Sequence, residues 1–168
     1  MEPSTNYDYY FLLCFLQKNN FFLVMAGPAR IYVLNRHHLA QGTEFQVPTG
    51  VHRYWITRDR NGYPGCALQN PFRLSDSHVA QNRDLVVLVF KTYLHHWLNN
   101  PDFSLVKTQF NTMLESLQCG YTVQLVCCCK PLKCHGDVIR ETLQTYFDDW
   151  AYSITAHVDV ENEMKHLK

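Results

Sequence analysis

The chain has 168 residues, of which 46% are hydrophobic and 14% aromatic. This length is typical of one globular domain whose core is large enough to fold without disulfides or metal ions. The 15 basic residues balance 15 acidic ones, which excludes the broad positive potential that drives non-specific nucleic-acid binding. The cysteines number seven, three of them consecutive, which does not suit a disulfide framework and favours a reduced, cytoplasmic protein.

Residues 1–26 contain two short apolar runs separated by a polar block at 17–20. Neither run reaches the roughly 20 apolar residues that span a bilayer, and no positive side chain precedes the first run, as a signal peptide requires. We therefore expect no membrane span. Because MAGPARIYVLNR, from Met25 onward, resembles a protein start, we interpret residues 1–26 as an extension or upstream segment. A packed amphipathic arm is the alternative, and a native mass equal to that of the full chain would exclude a start at Met25.

The first half of the domain is predicted to contain two strands and a long helix. Runs rich in β-branched and aromatic residues at 30–36 and 52–58 predict the strands, and Gly and Pro signals predict the loops that follow them. Helical spacing of apolar residues predicts a helix over 83–98, with Asn82 as its cap. The residues predicted to face the core are Val86, Val89, Phe90, Tyr93 and Trp97.

The second half is predicted to contain two helices and two strands. Asp102 is predicted to cap the first helix, and the nearly unbroken apolar run at 121–129 predicts a strand covered on both faces. Asp137 is predicted to cap the last helix, and residues 152–158 are predicted to form a short final strand. The residues predicted to face the core are Val106, Phe110, Met113, Leu114 and Leu117, followed by Ile139, Leu143, Tyr146, Phe147 and Trp150.

Strands that alternate with helices in this order predict an α/β fold. We expect a small Rossmann-like layered domain, in which helices flank a mostly parallel sheet. This domain is predicted to cover residues 27–158, and residues 159–168 are predicted to form a polar tail.

The stretch CCCKPLKCHGD, residues 127–137, lies where the last buried strand ends and a helix begins. Ligands of open parallel sheets bind at this edge, and a helix N-terminus presents unpaired N–H groups to anions such as phosphate. A thiol near a helix N-terminus also ionises more readily. Cys134 is therefore a candidate nucleophile, and His135 is a candidate general acid or base.

Four blocks resemble the bacterial and phage family catalogued as domain of unknown function 4326, and the resemblance covers about residues 30–150. The blocks are Trp55-Ile56-Thr57-Arg58, Asn70-Pro71-Phe72, Arg83 at a helix start, and the closing Cys129-x-Pro131-x-x-Cys134-His135-Gly136-Asp137-Val138 motif. Thr57 and Gln69 stand where the family has glycine, and Cys128 stands where it often has tryptophan. The resemblance implies the fold and a shared site, and it implies no particular reaction.

Together, these observations predict a protein that binds a small nucleotide-like or phosphorylated ligand, and they leave open whether the ligand is processed. Arginine pairs well with anionic ligands, and Asn70 has amide groups for a base or sugar. The catalytic candidates are Cys134 and His135, and the predicted ligand-binding residues are Arg58, Asn70, Arg83, Cys129 and Asp137. No cofactor and no oligomeric state can be deduced from the sequence.

Other interpretations of the cysteines remain open. Cys127, Cys129, Cys134 and His135 are zinc-ligand types, but the spacing C-x-C-x4-C-H lacks paired CxxC motifs and neighbouring residues rarely bind one ion, so no metal ligand is assigned. A disulfide between Cys129 and Cys134 requires Cα atoms within about 7 Å. Cys127 and Cys128 are otherwise expected to be small buried residues. The alternative function is a non-enzymatic protein, zinc-stabilised or not, that acts on a macromolecular partner.

Overall fold

The structure is a computed structural model that describes residues 29–39, 46–58, 66–72 and 83–166, with side chains described up to residue 153. A parallel three-stranded sheet forms its centre. The strands are β1 (Ile31–Asn35), β2 (Val51–Trp55) and β3 (Thr122–Cys127). They lie in the order β1-β3-β2, so the last strand in sequence occupies the middle of the sheet. Leu125 pairs with Val33 on one side and Tyr54 on the other.

Within the described residues, three helices accompany the sheet: α1 (Arg83–Asn99), α2 (Ser104–Gln118) and α3 (His135–His166). Short 3₁₀ helices cover Arg36–His38 and Pro101–Phe103. The predicted α/β class, a small layered domain with helices flanking a parallel sheet, is confirmed. None of the helices in the described part of the chain combines the length and the apolar character needed to cross a membrane. The predicted extension at 1–26 and the predicted cap Asn82 lie outside the described residues.

The helices pack on the face of the sheet to which Val123, Leu125 and Cys127 point, and all three side chains are fully buried there. The opposite face of β3 is mixed, because Val126 is buried while the Gln124 side chain accepts a hydrogen bond from Arg53 Nε at 2.9 Å. The prediction that β3 is covered on both faces by apolar contacts is therefore only partly correct. The layer of helices defines one main core, which lies between the sheet and the helices.

The core faces of the helices largely follow the predicted stripes. In α1 the fully or nearly fully buried residues are Val86, Phe90, Leu94 and Trp97, and in α2 they include Val106, Phe110, Met113 and Leu117. Tyr93 and Tyr146 were predicted to face the core, but they are 43% and 38% exposed. Each lies at the margin of its stripe, where a tyrosine can bury its ring edge and leave its hydroxyl near water. Tyr93 packs its ring edge-on against Phe72 at 4.9 Å.

Two capping predictions in this region need correction. Asn100, rather than Asp102, caps the chain before α2, because its side-chain oxygen accepts the Asp102 N–H at 3.0 Å. Pro101 follows as the first residue of the 3₁₀ helix, a position where its missing N–H costs nothing. Helix α2 itself begins only at Ser104.

The predicted final strand at 152–158 is wrong, since these residues belong to α3. The β-branched residues of this segment favour a strand, but the sequence after Gly136 contains no Gly or Pro to end the helix. A helix that is already nucleated extends at little cost through residues of moderate propensity. The backbone of residues 159–166, predicted as a polar tail, is helical as well.

Gly136, the second residue of α3, allows the helix to approach the sheet closely. A Cβ atom at this position would lie 2.8 Å from Val33 Cγ1 and 2.9 Å from Ile56 Cδ1, both of which are in the core. Gly136→Ala should therefore destabilise the fold by about 1–2 kcal/mol, because overpacking outweighs the small gain in helix propensity. The free energy of unfolding, measured by denaturant titration, checks this.

Adding Val33→Ala to the Gly136→Ala variant provides the control. Because Val33→Ala removes the nearest clashing methyl group, the two changes should couple, and the double variant should be less destabilised than the sum of the two single variants. Simple additivity of the two changes would contradict the steric explanation.

Candidate functional site

The carboxyl ends of all three strands lie side by side, because Asn35 pairs with Cys127 and Trp55 pairs with Val126. The chain leaves β3 at this edge and forms a short loop that ends at His135, the first residue of α3. The Lys130–Pro131 peptide in this loop is cis, and the Asn35 side-chain amide donates a hydrogen bond to the Lys130 carbonyl. The loop is thus attached to β1 as well as to β3.

Cys127 is the centre of a cluster of thiols. Its Sγ atom lies within 4.8 Å of those of Cys129 and Cys134, and it accepts the N–H of Cys129 at 3.5 Å. Cys127 is fully buried and Cys134 is 2% exposed, whereas Cys129 is half-buried. The prediction of a buried Cys128 is wrong, because this residue follows the last residue of β3 and is exposed.

His135 is buried against the same cluster. Its Nε2 atom lies 2.8 Å from the Ile56 carbonyl oxygen, which can only accept, so the ring nitrogen Nε2 carries the proton. The other nitrogen, Nδ1, lies 3.9 Å from Cys127 Sγ. Burial lowers the pKa of His135 to about 4, so the ring is neutral near pH 7 and is a weak base. The thiol that His135 contacts is that of Cys127 and not that of Cys134. The catalytic role of His135 remains a prediction.

The three clustered thiols differ in acidity. The neighbouring thiols of Cys129 and Cys134, together with burial, raise the pKa of Cys127. The pKa of Cys129 falls to about 6, first because of the Cys127 thiol beside it and then because of the Cys128 thiol and Arg83. The pKa of Cys134 also falls, because of the Cys127 thiol and the backbone N–H groups at the start of α3. Cys127 is therefore the least acidic of the three thiols.

Asp137 does not cap α3 in the predicted way, because the helix begins two residues earlier. From the third helical position its Oδ2 atom accepts the N–H of Cys134 at 3.1 Å, which is one half of a capping box. Its Oδ1 atom lies 2.5 Å from Lys130 Nζ. Burial alone would raise the pKa of Asp137, but these two bonds lower it below the ordinary value. The role shown by these contacts is structural, since they connect the loop to the start of α3.

The same contacts correct the expectation of free N–H groups at the N-terminus of α3. The N–H of Cys134 donates to the Asp137 carboxylate, that of Asp137 donates to the Cys134 carbonyl oxygen at 3.0 Å, and that of Gly136 faces the sulfur of Cys134. An anionic ligand at this edge would therefore depend on side-chain donors more than on the helix terminus.

Arg58 and Asn70 lie together beside His135. The guanidinium group of Arg58 donates from Nε and Nη2 to the Asn70 carbonyl oxygen at 3.2 and 2.8 Å. Its charge contributes to the low pKa of His135, after the larger effect of burial. The side-chain oxygen of Asn70 accepts the Phe72 N–H at 2.9 Å, so this side chain shapes the turn around Pro71.

Arg83 reaches the site from the first residue of α1. Its Nη1 atom donates to the Lys133 carbonyl oxygen at 3.3 Å, and its guanidinium group forms a hydrogen bond with the Cys129 thiol. The structure thus brings all seven predicted residues to one edge of the sheet, with each joined to the Cys-His cluster directly or through one neighbour. Their functional roles remain predictions.

Sequence reasoning missed the central position of Cys127 and the partnership of Lys130 with Asp137. Alternation along β3 indicates that Cys127 and Cys129 share a side, but it does not indicate that the loop returns Cys134 and His135 to the same point.

Thr57, which stands where the family has glycine, is 7% exposed. Its hydroxyl has no hydrogen-bond partner in the described part of the structure. The ligand atoms of Cys127, Cys134 and His135 all lie within 4.8 Å of one another, as do those of Cys127, Cys128 and Cys129.

Asp137→Asn should destabilise the fold by about 1–3 kcal/mol, because an amide cannot accept both the Cys134 N–H and the Lys130 ammonium group. The matched control is Asp84→Asn. Asp84 also lies in the first turn of a helix and pairs with a lysine, Lys133, at 2.9 Å, but its side chain is 70% exposed whereas that of Asp137 is 17% exposed. An exposed pair contributes little, so thermal unfolding at neutral pH should separate the two variants. Equal losses would contradict a structural role for Asp137.

Comparison with known proteins identifies the family of the chain. A sequence model of the family described as "Domain of unknown function (DUF4326)" matches residues 35–145, which is more than half of the chain. No curated protein and no solved structure matches the chain. The family match begins at the last residue of β1 and includes β2, β3, the Cys-His cluster and both arginines. The chain therefore belongs to the DUF4326 family.

Proposed function

We propose that this protein binds a small anionic ligand, of the nucleotide-like or phosphorylated class, at the carboxyl edge of the sheet. The observation that carries the proposal is the approach of two arginines to one cluster from separate segments. Arg58 follows β2 and acts on His135, and Arg83 begins α1 and contacts Cys129.

Both guanidinium groups are anchored by backbone carbonyls. Arg58 uses two N–H groups on Asn70, and Arg83 uses one on Lys133. Since a guanidinium group carries five N–H donors in a planar fork, each retains donors for the oxygens of a phosphate or carboxylate. Anchoring also reduces the side-chain entropy that is lost on binding.

The local charge balance favours an anion as well. Lys130 pairs with Asp137 and Lys133 pairs with Asp84, so these charges are largely offset. Within the described residues, no ion pair joins Arg58 or Arg83 to a carboxylate. Two positive charges next to a partly buried site attract an anionic ligand more strongly than they would in open solvent.

A cleft of about 400 Å³ opens at the same edge, and its volume suits a small molecule. Its lining residues are Val33, Leu34, Asn35, His38, Leu39, Lys130 and Pro131. The cleft lies on the β1 side of the central strand, while Arg58 follows β2 on the other side. Lys130 lies at its wall and contacts Asp137, so the cleft borders the cluster without including the arginines. We assign the anion contacts to Arg58 and Arg83, because Arg58 acts on the imidazole and Arg83 acts on the Cys129 thiol.

Isothermal titration of the full chain with a nucleoside diphosphate, a sugar phosphate, inorganic phosphate and an uncharged nucleoside tests the proposal. At least one phosphorylated probe should bind more tightly than the uncharged nucleoside. Arg58→Gln and Arg83→Gln should each weaken that binding by about tenfold or more, which is about 1.4 kcal/mol. Arg58→Lys should also weaken binding, since a lysine keeps the charge and loses the planar fork.

Arg30→Gln is the matched control. Arg30 is exposed and precedes β1 at the amino edge of the sheet, so its loss removes the same charge without touching the site. If Arg30→Gln weakens binding equally, the ligand is attracted by the overall charge of the protein and not by a specific site. The absence of binding by every probe would overturn the proposal and favour a non-enzymatic protein that acts on a macromolecular partner.

A further inference from the structure

We propose that Cys127, Cys129, Cys134 and His135 form a binding site for a zinc ion. This site goes beyond the ligand proposal above and does not depend on it, because its ligands are thiols and an imidazole and neither of the two arginines coordinates the metal. The four residues come from the end of β3, the loop that follows it and the first turn of α3.

The separations of the ligand atoms are close to those of a tetrahedral zinc site. Zinc–sulfur bonds of about 2.3 Å and zinc–nitrogen bonds of about 2.0–2.1 Å place neighbouring ligand atoms roughly 3.6–3.8 Å apart. Cys127 Sγ and His135 Nδ1 are 3.9 Å apart, and the ligand atoms of Cys127, Cys134 and His135 all lie within 4.8 Å. The bound of 4.8 Å exceeds this spacing by about 1 Å, so shifts of up to about an ångström would bring these three groups onto one ion.

The tautomer of His135 provides an independent observation. Its Nε2–H group donates to the Ile56 carbonyl at 2.8 Å, which leaves the lone pair of Nδ1 directed at the thiols. Metal-binding histidines almost always donate their second ring nitrogen to a carboxylate, carbonyl or water in this way, which fixes the ring and makes it a better ligand. The unprotonated Nδ1 faces the Cys127 thiol at 3.9 Å, as a metal ligand of this site would.

Cys129 is assigned as the fourth ligand. Its thiol lies within 4.8 Å of that of Cys127, and it is half-buried whereas Cys128 is exposed. Cys129 does not belong to the group of Cys127, Cys134 and His135 whose ligand atoms lie within 4.8 Å of one another, so the loop that carries it would move inward on metal binding. With Cys129 the ligand set is three sulfurs and one nitrogen, a composition typical of closed, structural zinc sites. Three thiolates around a dication leave one negative charge, and the guanidinium group of Arg83 lies against Cys129 to balance it.

A zinc ion here would join the loop and the start of α3 to the end of β3. The Ile56 carbonyl, which follows β2, would act as the outer partner of His135. The metal would thereby fix the relative positions of the two strands and the helix at the edge where the ligand is proposed to bind.

The first measurement is the metal content of the full-length protein, purified under reducing conditions without a histidine tag. We expect one zinc ion per chain by elemental analysis. X-ray absorption of the zinc protein should show three sulfur neighbours at about 2.3 Å and one nitrogen at about 2.0 Å. Replacement by cobalt(II) should give the visible bands of a tetrahedral site and a thiolate charge-transfer band. A wild-type protein that neither contains nor takes up zinc or cobalt overturns the proposal without the need for any variant.

Variants then test the assignment of each ligand. Replacement of Cys127, Cys129 or Cys134 by serine should lower zinc affinity by more than the roughly 10- to 100-fold that loss of an outer partner costs. Cys119→Ser changes a thiol outside the cluster and should retain the metal, as should Cys128→Ser. If Cys128→Ser abolishes binding while Cys129→Ser preserves it, the four-residue assignment is wrong.

The two proposals can fail separately. Arg58→Gln should weaken binding of the phosphorylated probe and leave the zinc content at one ion per chain. A zinc protein that binds no phosphorylated probe supports the metal site and contradicts the ligand proposal. A metal-free protein whose binding of a phosphorylated probe depends on the arginines supports the ligand proposal and contradicts the metal site.

Discussion

The hydrogen bond from the His135 ring to the Ile56 carbonyl determines much of the arrangement at the edge of the sheet. It joins the first residue of α3 to the residue that follows β2, and it is buried, so water does not compete for it. A buried carbonyl without a partner costs about 1–3 kcal/mol, and the imidazole supplies that partner. Because the bond also decides which ring nitrogen keeps its proton, a single contact fixes both the position of the helix and the chemical character of the histidine.

Close contact between the helix and the sheet makes this bond possible. Gly136 follows His135 and has no side chain, so the backbone of α3 can lie against Val33 and Ile56. The Asp137 carboxylate then ties the loop to the first turn through Lys130 and the N–H of Cys134. The consecutive residues His135, Gly136 and Asp137 thus perform three different tasks: one bonds the sheet, one allows close approach and one closes the loop. The same packing turns Cys134 inward towards Cys127.

The sequence predicted the layered α/β fold and the edge where the candidate site lies, because both depend on local patterns. Apolar stripes identified α1 and α2, and the run before the cysteines identified β3. The order of the strands is not a local property, so the position of β3 between β1 and β2 could not be deduced. The thiol cluster depends on how the loop from Cys128 to Cys134 returns to the strand. Spacing alone suggested that adjacent Cys134 and His135 would diverge, whereas both turn to Cys127. The end of α3 was missed because β-branched residues at 154–158 suggested a strand, while no Gly or Pro interrupts the helix there.

The order of the strands also bears on how the protein forms during synthesis. In the sheet, β1 and β2 are each paired with β3 and not with each other. Ile31 pairs with Val123 and Val51 pairs with Thr122, so neither early strand can find its native neighbour until the chain has been made past residue 127. At about 5–20 residues per second, the stretch between β2 and β3 takes roughly 3–13 s to translate. During that time β1 and β2 are both unpaired, and their apolar side chains are exposed. We therefore expect the chain to need chaperones most while it is still bound to the ribosome.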